Sequence, residues 1–259
     1  MIVCFSGTGN SLAVAKEVLK HIPSHRLFRL DHSNAARISD EFVEDKEIIW
    51  IFPTYSWGIP PVIKNAIESF CGSDKTIHHM ITTCGDDIGN CASQWRRLMK
   101  RHNFITGAAF SVQMPNTYIN MKGFDVDNQA LENEKVAQMP ERVKHICDTI
   151  KSYTGTPIDD VVKGAIPRLK TSVIYPCFKK YEINPAKFNV DKETCLSCRL
   201  CASRCPLDNI TMDHNLPKWG DNCTMCLRCY HHCPTKAINY AGKTLKKGQY
   251  TRFKNLLGE

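Results

Sequence analysis

Ile2-Val3-Cys4-Phe5-Ser6-Gly7-Thr8-Gly9-Asn10-Ser11 is the stretch that decides how the first half of the chain folds. Its apolar residues make a short strand, and a helical pattern over Leu12–Leu19 follows directly, so the turn between them opens a helix. A turn so placed points backbone N–H groups and short hydroxyls at an anion lying on the positive end of the helix dipole. A Walker loop would carry a Lys after its last Gly, and none stands here. The dinucleotide fingerprint would need a third Gly where Leu12 stands. With Ser6, Thr8 and Ser11 supplying hydroxyls and no Lys or Arg in the loop, a terminal phosphate monoester is the better guest.

Outward from this loop, short β-branched runs alternate with helical patterns. Strands are expected at Ile2–Phe5, Leu27–Leu30, Ile48–Phe52, Ile77–Thr83 and Ala108–Gln113, and helices at Leu12–Leu19, Pro61–Ser69, Ser93–His102 and about Asn133–Tyr153. Such alternation gives a parallel sheet covered by helices on both faces. After Tyr153, Gly155, Pro157, Gly164, Pro167, Pro176 and Pro185 mark a linker or extended strap and not a third domain. The end of the chain, from Gly242 to Glu259, carries Lys243, Lys246, Lys247, Arg252 and Lys254 and reads as a basic tail.

The chain has 14 cysteines in 259 residues. It opens on the strand with no basic n-region or long apolar h-region, and no apolar run approaches the roughly 20 residues that span a bilayer. A cytoplasmic protein without a membrane span is expected, and in a reducing compartment so many cysteines imply metal or thiol chemistry, not disulfides. Cys4, Cys71, Cys84, Cys91, Cys147 and Cys177 are scattered. The other eight form two copies of one pattern: Cys195-x-x-Cys198-x-x-Cys201-x-x-x-Cys205-Pro206 and Cys223-x-x-Cys226-x-x-Cys229-x-x-x-Cys233-Pro234. Zinc ribbons pair Cys-x-x-Cys units into one tetrahedron, so a triplet plus a lone cysteine before proline, repeated, has no zinc rationale.

Over about residues 187–241 the segment resembles the two-cluster bacterial ferredoxins, a small duplicated α+β module. The resemblance implies two 4Fe-4S clusters, with the fourth cysteine of each run reaching across to the other cluster. One cluster would be held by Cys195, Cys198, Cys201 and Cys233, the other by Cys223, Cys226, Cys229 and Cys205.

Over about residues 1–155 the chain resembles the flavodoxins, which implies a doubly wound α/β fold in the order 2-1-3-4-5 and flavin mononucleotide (FMN) held at three loops. The phosphate loop is Ser6, Gly7, Thr8, Gly9, Asn10 and Ser11. The loop after the third strand, Pro53, Thr54, Tyr55, Ser56, Trp57 and Gly58, stands where the family sets an aromatic against the flavin ring. Thr83, Cys84 and Gly85, with Asp86 following, stand where the family wraps the pyrimidine edge. The chain departs from simple flavodoxins in its net charge of +8 and in an irregular polar insertion, Met114 to Gln129, at the edge where a flavin cap would lie.

Tyr55 and Trp57 are candidates for stacking on the ring. Cys84 is read as a small buried hydrophobe, and core packing is expected for Cys4, Cys71, Cys91, Cys147 and Cys177. His231 and His232 lie within the second cysteine run and are expected behind the ligands or at the surface. His78-His79 lacks a carboxylate at metal spacing. The positive charge suits an acidic redox partner. A nucleic-acid partner is not expected, because no recognition helix or aromatic platform accompanies the basic residues.

Together these features suggest a flavodoxin–ferredoxin fusion that relays electrons between FMN, two 4Fe-4S clusters and an external redox protein, in an anaerobic setting. Two alternatives stand beside it. One is a flavin-dependent reductase of a small substrate with Tyr118 or Asp86 as its proton donor; the other is a redox-sensing or scaffold protein without flavin. A homodimer in which one chain's clusters face another chain's flavin is compatible with the sequence.

Overall fold

A computed structural model describes residues 1–31, 45–121 and 123–257. A six-stranded, wholly parallel sheet organises the first 160 residues. Its strands are β1 (Ile2–Cys4), β2 (Leu27–Arg29), β3 (Glu47–Pro53), β4 (Ile77–Cys84), β5 (Ile105–Gln113) and β6 (Asp159–Asp160), in the order β2-β1-β3-β4-β5-β6. This is a flavodoxin-like doubly wound α/β fold. β3 reads Glu-Ile-Ile-Trp-Ile-Phe-Pro, the near-continuous apolar run of a strand buried on both faces. Ile48, Trp50 and Phe52 enter one apolar core, while Ile49 and Ile51 enter the other. Helices α1 (Asn10–His21) and α4 (Gln129–Lys151) cover the second core. Helices α2 (Pro61–Glu68) and α3 (Cys91–Arg101) cover the first.

The structure corrects several expectations. The sheet gains β6, whose two residues are both Asp. Arg96 holds Asp159 at 2.6 Å and Arg142 holds Asp160 at 2.6 Å, so ion pairs do what apolar side chains do elsewhere in the sheet. Helix α4 starts at Gln129, ahead of the expected Asn133, because the Asn128 side chain accepts the Leu131 N–H at 3.0 Å and caps it. The strap is not extended. Residues 167–182 are helical, with Lys170–Ile174 and Phe178–Glu182 wound as π-helix. Its Tyr175 hydroxyl donates to the Ile59 carbonyl, and its ring covers Gly58 so closely that a Cβ there would lie 2.4 Å away. Cys4, Cys91 and Cys147 are buried as expected, but Cys71, in the irregular stretch after α2, and Cys177, within the helical run 167–182, are exposed.

The cysteine-rich module is small. β7 (Phe188–Val190) pairs antiparallel with β10 (Ile238–Tyr240), and β8 (Ile210–Asp213) forms a hairpin with β9 (Leu216–Trp219). One-turn helices at Leu200–Ser203 and Arg228–His231 contain the third cysteine of each run, Cys201 and Cys229. A third apolar cluster joins this module to the strap and to the insertion after β5, through Tyr175, Phe178, Ile119, Phe188, Tyr230 and Tyr240. Among the described residues no helix is long and apolar enough to cross a membrane.

Candidate functional site

At the C-terminal edge of the sheet a cleft of about 640 Å³, counted to its open mouth, gathers the three loops singled out in the sequence. Ser6, Gly7, Thr8, Asn10 and Ser11 line it from the loop after β1, Pro53, Thr54, Tyr55 and Ser56 from the loop after β3, and Thr83, Cys84 and Gly85 from the end of β4. Gly9, Trp57 and Gly58 lie outside this lining. Gly9 makes the turn into α1 at φ 103°, a left-handed conformation in which its missing Cβ matters. Trp57 lines a neighbouring cavity with Asp87, Met121 and Phe124, and Lys170 Nζ lies 5.0 Å from its ring centre.

Ser56 and Trp57 both have positive φ, 44° and 63°, in a tight turn closed by paired Tyr55–Gly58 backbone hydrogen bonds of 3.0 Å. Turns of this kind favour Asn-Gly, so a Ser-Trp pair held there is strained, as backbone at binding sites often is. The Tyr55 and Ser56 hydroxyls, together with that of Tyr118, are buried without a hydrogen-bond partner. Burial, reinforced by nearby Cys226 and Cys223, raises Tyr55 well above the ordinary phenol range. The Ser11 and Thr83 hydroxyls bond each other at 2.8 Å, tying the first loop to the end of β4. Burial pushes the Cys84 thiol up to about 12, so at neutral pH it is a protonated, inert wall residue.

The insertion after β5 does line the cleft, through Met114, Pro115, Asn116, Thr117 and Tyr118. It is fixed from within: Asn116 N–H donates to Asp127 at 3.0 Å, and Lys135 pairs with Asp127 at 2.7 Å. Burial raises the Tyr118 phenol far above neutrality, and the Asp86 side chain is 85% exposed. Tyr118 is thus a protonated hydroxyl in the cleft wall, whereas Asp86 lies outside the cleft lining.

The eight cysteines of the module surround two cavities of nearly equal size, about 350 and 360 Å³. One is lined by Cys195, Cys198, Cys201 and Cys233; the other by Cys223, Cys226, Cys229 and Cys205. The lone cysteine of each run thus lines the cavity of the other run. Among the described residues no group of three or more His, Cys, Asp or Glu side chains is gathered closely enough to hold a single metal ion. The thiols stand apart around a space. Burial pushes Cys201 and Cys226 up to about 11 and Cys223 to about 12, so their protons leave only to a strong cationic competitor.

The backbone repeats as faithfully as the cysteines. Ser197 and Met225 have φ 53° and 59°, Arg199 and Leu227 63° and 59°, Asp208 and Lys236 48° and 57°. Each pair is separated by the interval that relates Cys195 to Cys223. Left-handed conformations at non-glycine residues are rare and carry strain, so their recurrence at equivalent positions marks a shape that is held, not incidental. The turns also aim backbone N–H groups at sulfur: Met225 donates to Cys223 Sγ and Asn209 to Cys205 Sγ, each at 3.4 Å.

The cleft and the second cysteine cavity share a wall, for which no local sequence pattern stands as a signal. Met225, Cys226 and Leu227 line the cleft, and Cys226 and Leu227 also line the cavity. A Cβ on Gly7 would sit 2.9 Å from Cys226 Cβ, so only glycine allows this approach. Arg228 crosses the seam, its Nε donating to the Gly7 carbonyl at 2.7 Å and its Nη2 to that of Ser6.

The histidines of the second run are not at the surface. His231 is wholly buried and His232 is 7% exposed. His231 Nδ1 accepts the Tyr250 N–H at 3.0 Å, which fixes the proton on Nε2, where it donates to the Thr117 carbonyl at 2.9 Å. The basic tail is also a structural part. Tyr250 is buried and donates to Asn10 Oδ1 at 2.7 Å, and a Cβ on Gly9 would meet Phe253 Cβ at 2.5 Å. The aromatic and aliphatic residues among the lysines, Tyr250, Phe253, Leu256 and Leu257, were the available signal for this docking.

No family model and no curated protein matches the chain. Solved structures do. An FMN-dependent NADH-azoreductase from Bacillus anthracis, determined in complex with FMN, is 9% identical with a TM-score of 0.39 and covers 57% of this chain and 97% of its own. A flavodoxin from Streptococcus pneumoniae is 17% identical with a TM-score of 0.35, covering 56% and 97%. Rubredoxin:oxygen oxidoreductase from Desulfovibrio gigas is 14% identical with a TM-score of 0.38, covering 58% of this chain and 36% of its own.

Proposed function

We propose that the chain is an electron-transfer flavo-iron-sulfur protein, with FMN held by residues 1–155 and two 4Fe-4S clusters held by residues 187–241. The segments 156–186 and 242–259 lock the two parts together. One observation carries the reading: Cys226 lines both the cleft beneath the phosphate loop and the second cysteine cavity. A flavin exchanges one or two electrons and a 4Fe-4S cluster one, so the pair supplies conversion between the two kinds of carrier.

The chain's own contribution is placement and exclusion of water. In the cleft, the turn at Gly7 to Ser11 presents the free N–H groups opening α1 to a phosphate, and the unpartnered Tyr55, Ser56 and Tyr118 hydroxyls fit the polar edge of a flavin. In each cavity four separated thiols suit the four iron corners of a cube better than one ion, and in the second the N–H groups aimed at Cys205 and Cys223 favour the thiolate form. Met225, Leu227 and Phe178 keep the shared wall apolar. The first cavity lies toward solvent, with Cys198 exposed and Leu196 67% exposed, and is where an acidic redox partner would meet the basic chain.

Anaerobic purification followed by iron, sulfide and flavin counts tests the reading. Two cubes of four irons and one FMN per chain are expected. Zinc in place of iron, or a protein that takes up no flavin, overturns it.

A further inference from the structure

Arg228 is 7% exposed and lies in the seam between the cleft and the second cysteine cavity. Its guanidinium donates to three carbonyls, those of Gly7 at 2.7 Å, Arg204 at 3.0 Å and Ser6. All three acceptors are neutral. On its other side lies an open cavity lined by Arg29, Arg204, Asp31 and Asp208, yet among the described residues no carboxylate forms an ion pair with Arg228. A buried cation without a countercharge is strongly destabilising, and proteins tolerate one only where an anion compensates. The titratable groups that face it are the thiols of Cys226 and Cys205, both of the second set, the Arg29 guanidinium and the Tyr55 phenol.

The duplicated module supplies an internal control. The two runs read Cys198-Arg199-Leu200-Cys201 and Cys226-Leu227-Arg228-Cys229, so the position of Arg228 is occupied by Leu200 in the first copy. The backbone around the two is the same, with Arg199 and Leu227 at matching left-handed φ. The first cavity has its own arginine, Arg199, one position earlier; what belongs to the second alone is the buried cation that crosses to the Ser6 and Gly7 carbonyls, at the wall shared with the cleft.

We propose that Arg228 is the fixed countercharge of the second cysteine set, and that it makes a cluster held by Cys223, Cys226, Cys229 and Cys205 easier to reduce. This rests on the iron-sulfur reading of that cavity. Uptake of one electron adds one negative charge there and neither makes nor breaks a bond, and a guanidinium anchored on backbone carbonyls favours the added charge without moving. Arg228 acts through the electrostatics of the site and is a positioning residue.

The test is a dithionite titration of the anaerobically prepared holoprotein, each cluster followed by its electron paramagnetic resonance signal, after iron and sulfide have been counted. In Arg228→Gln, at the ambient potential that half-reduces the second cluster in the native protein, the reduced-to-oxidised ratio falls at least tenfold. That is a shift of about 59 mV for one electron, and the other cluster is unmoved. Arg228→Lys, which keeps the charge but cannot fork across three carbonyls, keeps the ratio within threefold. Full iron content with an unmoved potential in Arg228→Gln overturns the role of Arg228 and leaves the clusters standing. Absence of iron from the native protein overturns both. Should Arg228→Gln fail to load iron, the lysine variant decides: a native ratio supports a charge role, and a tenfold fall refutes it.

Discussion

The two halves of this molecule are held by different means. The parallel sheet is enclosed by two apolar cores in which Ile49, Ile51, Phe5, Trp50 and Phe110 are fully buried. The cysteine module has only short strands, one-turn helices and a shared apolar cluster, and it spends its interior on thiols. Burial in the first half lowers free energy directly; in the second, on the proposed reading, it strands thiols that would need bound iron before the fold becomes favourable. One half carries its stability in its side chains, and the other would take it from the clusters proposed for it.

The sharpest way to break this contrast is to take the metal away. Chelation under anaerobic conditions, or Cys229→Ser, is expected to speed proteolysis within residues 187–241 at least a hundredfold while the sheet keeps its far-ultraviolet circular dichroism. Equal loss in both halves would show that they fold as one unit. Conversely, Ile51→Ala leaves a cavity in the sheet's core and should cost about 2–5 kcal/mol in denaturant unfolding without lowering the iron count.

Acid offers a third route. His78 is wholly buried and its Nδ1 accepts the Trp50 Nε1–H at 3.1 Å, so burial, with His79 nearby, keeps it neutral down to about 3. An unfolded His takes its proton near 6.5, so the stability His78 contributes is complete above that pH and is lost as pH falls below it, by up to about 1.4 kcal/mol per unit. His78→Leu should flatten the sheet's unfolding free energy between pH 6.5 and 4; an unchanged slope would assign the acid sensitivity elsewhere.

Gly7→Ala drives a methyl into Cys226 and should cost about 1–3 kcal/mol, read as weakened FMN binding and altered resonance of the second cluster only. The smallest effect is expected from Tyr250→Phe. Losing the bond to Asn10 costs about 1 kcal/mol and should show as faster FMN release at unchanged iron content.

What was legible in the sequence follows the same divide between local and distant. The turn at Gly7 to Ser11, the β3 apolar run and the paired cysteine runs are local patterns, each interpretable within about ten residues. The crossing of Cys205 and Cys233 came from a known spacing, and the two cavities show the same grouping. Three features were hidden, each for a physical reason. Asp159-Asp160 has no strand character because arginines hold it in the sheet. The prolines around 167–185 suggested an extended chain, yet Pro176 sits at the start of a short α-helical turn, Tyr175–Cys177, between two π-helical stretches. The approach of Arg228 to Gly7 joins residues 221 positions apart and has no local trace beyond the substitution of Arg for Leu between the two runs.

The hydrogen bond from Tyr250 to Asn10 spans 240 positions, linking an early turn to a segment made much later. On a chain made from its N-terminus, the turn at the cleft emerges well before the piece that seats against it. An occupant arriving between the two would meet an open doorway, and one arriving afterwards would have to wait for the door to swing. The interval before Tyr250 settles is then a property of the protein as real as any distance in it.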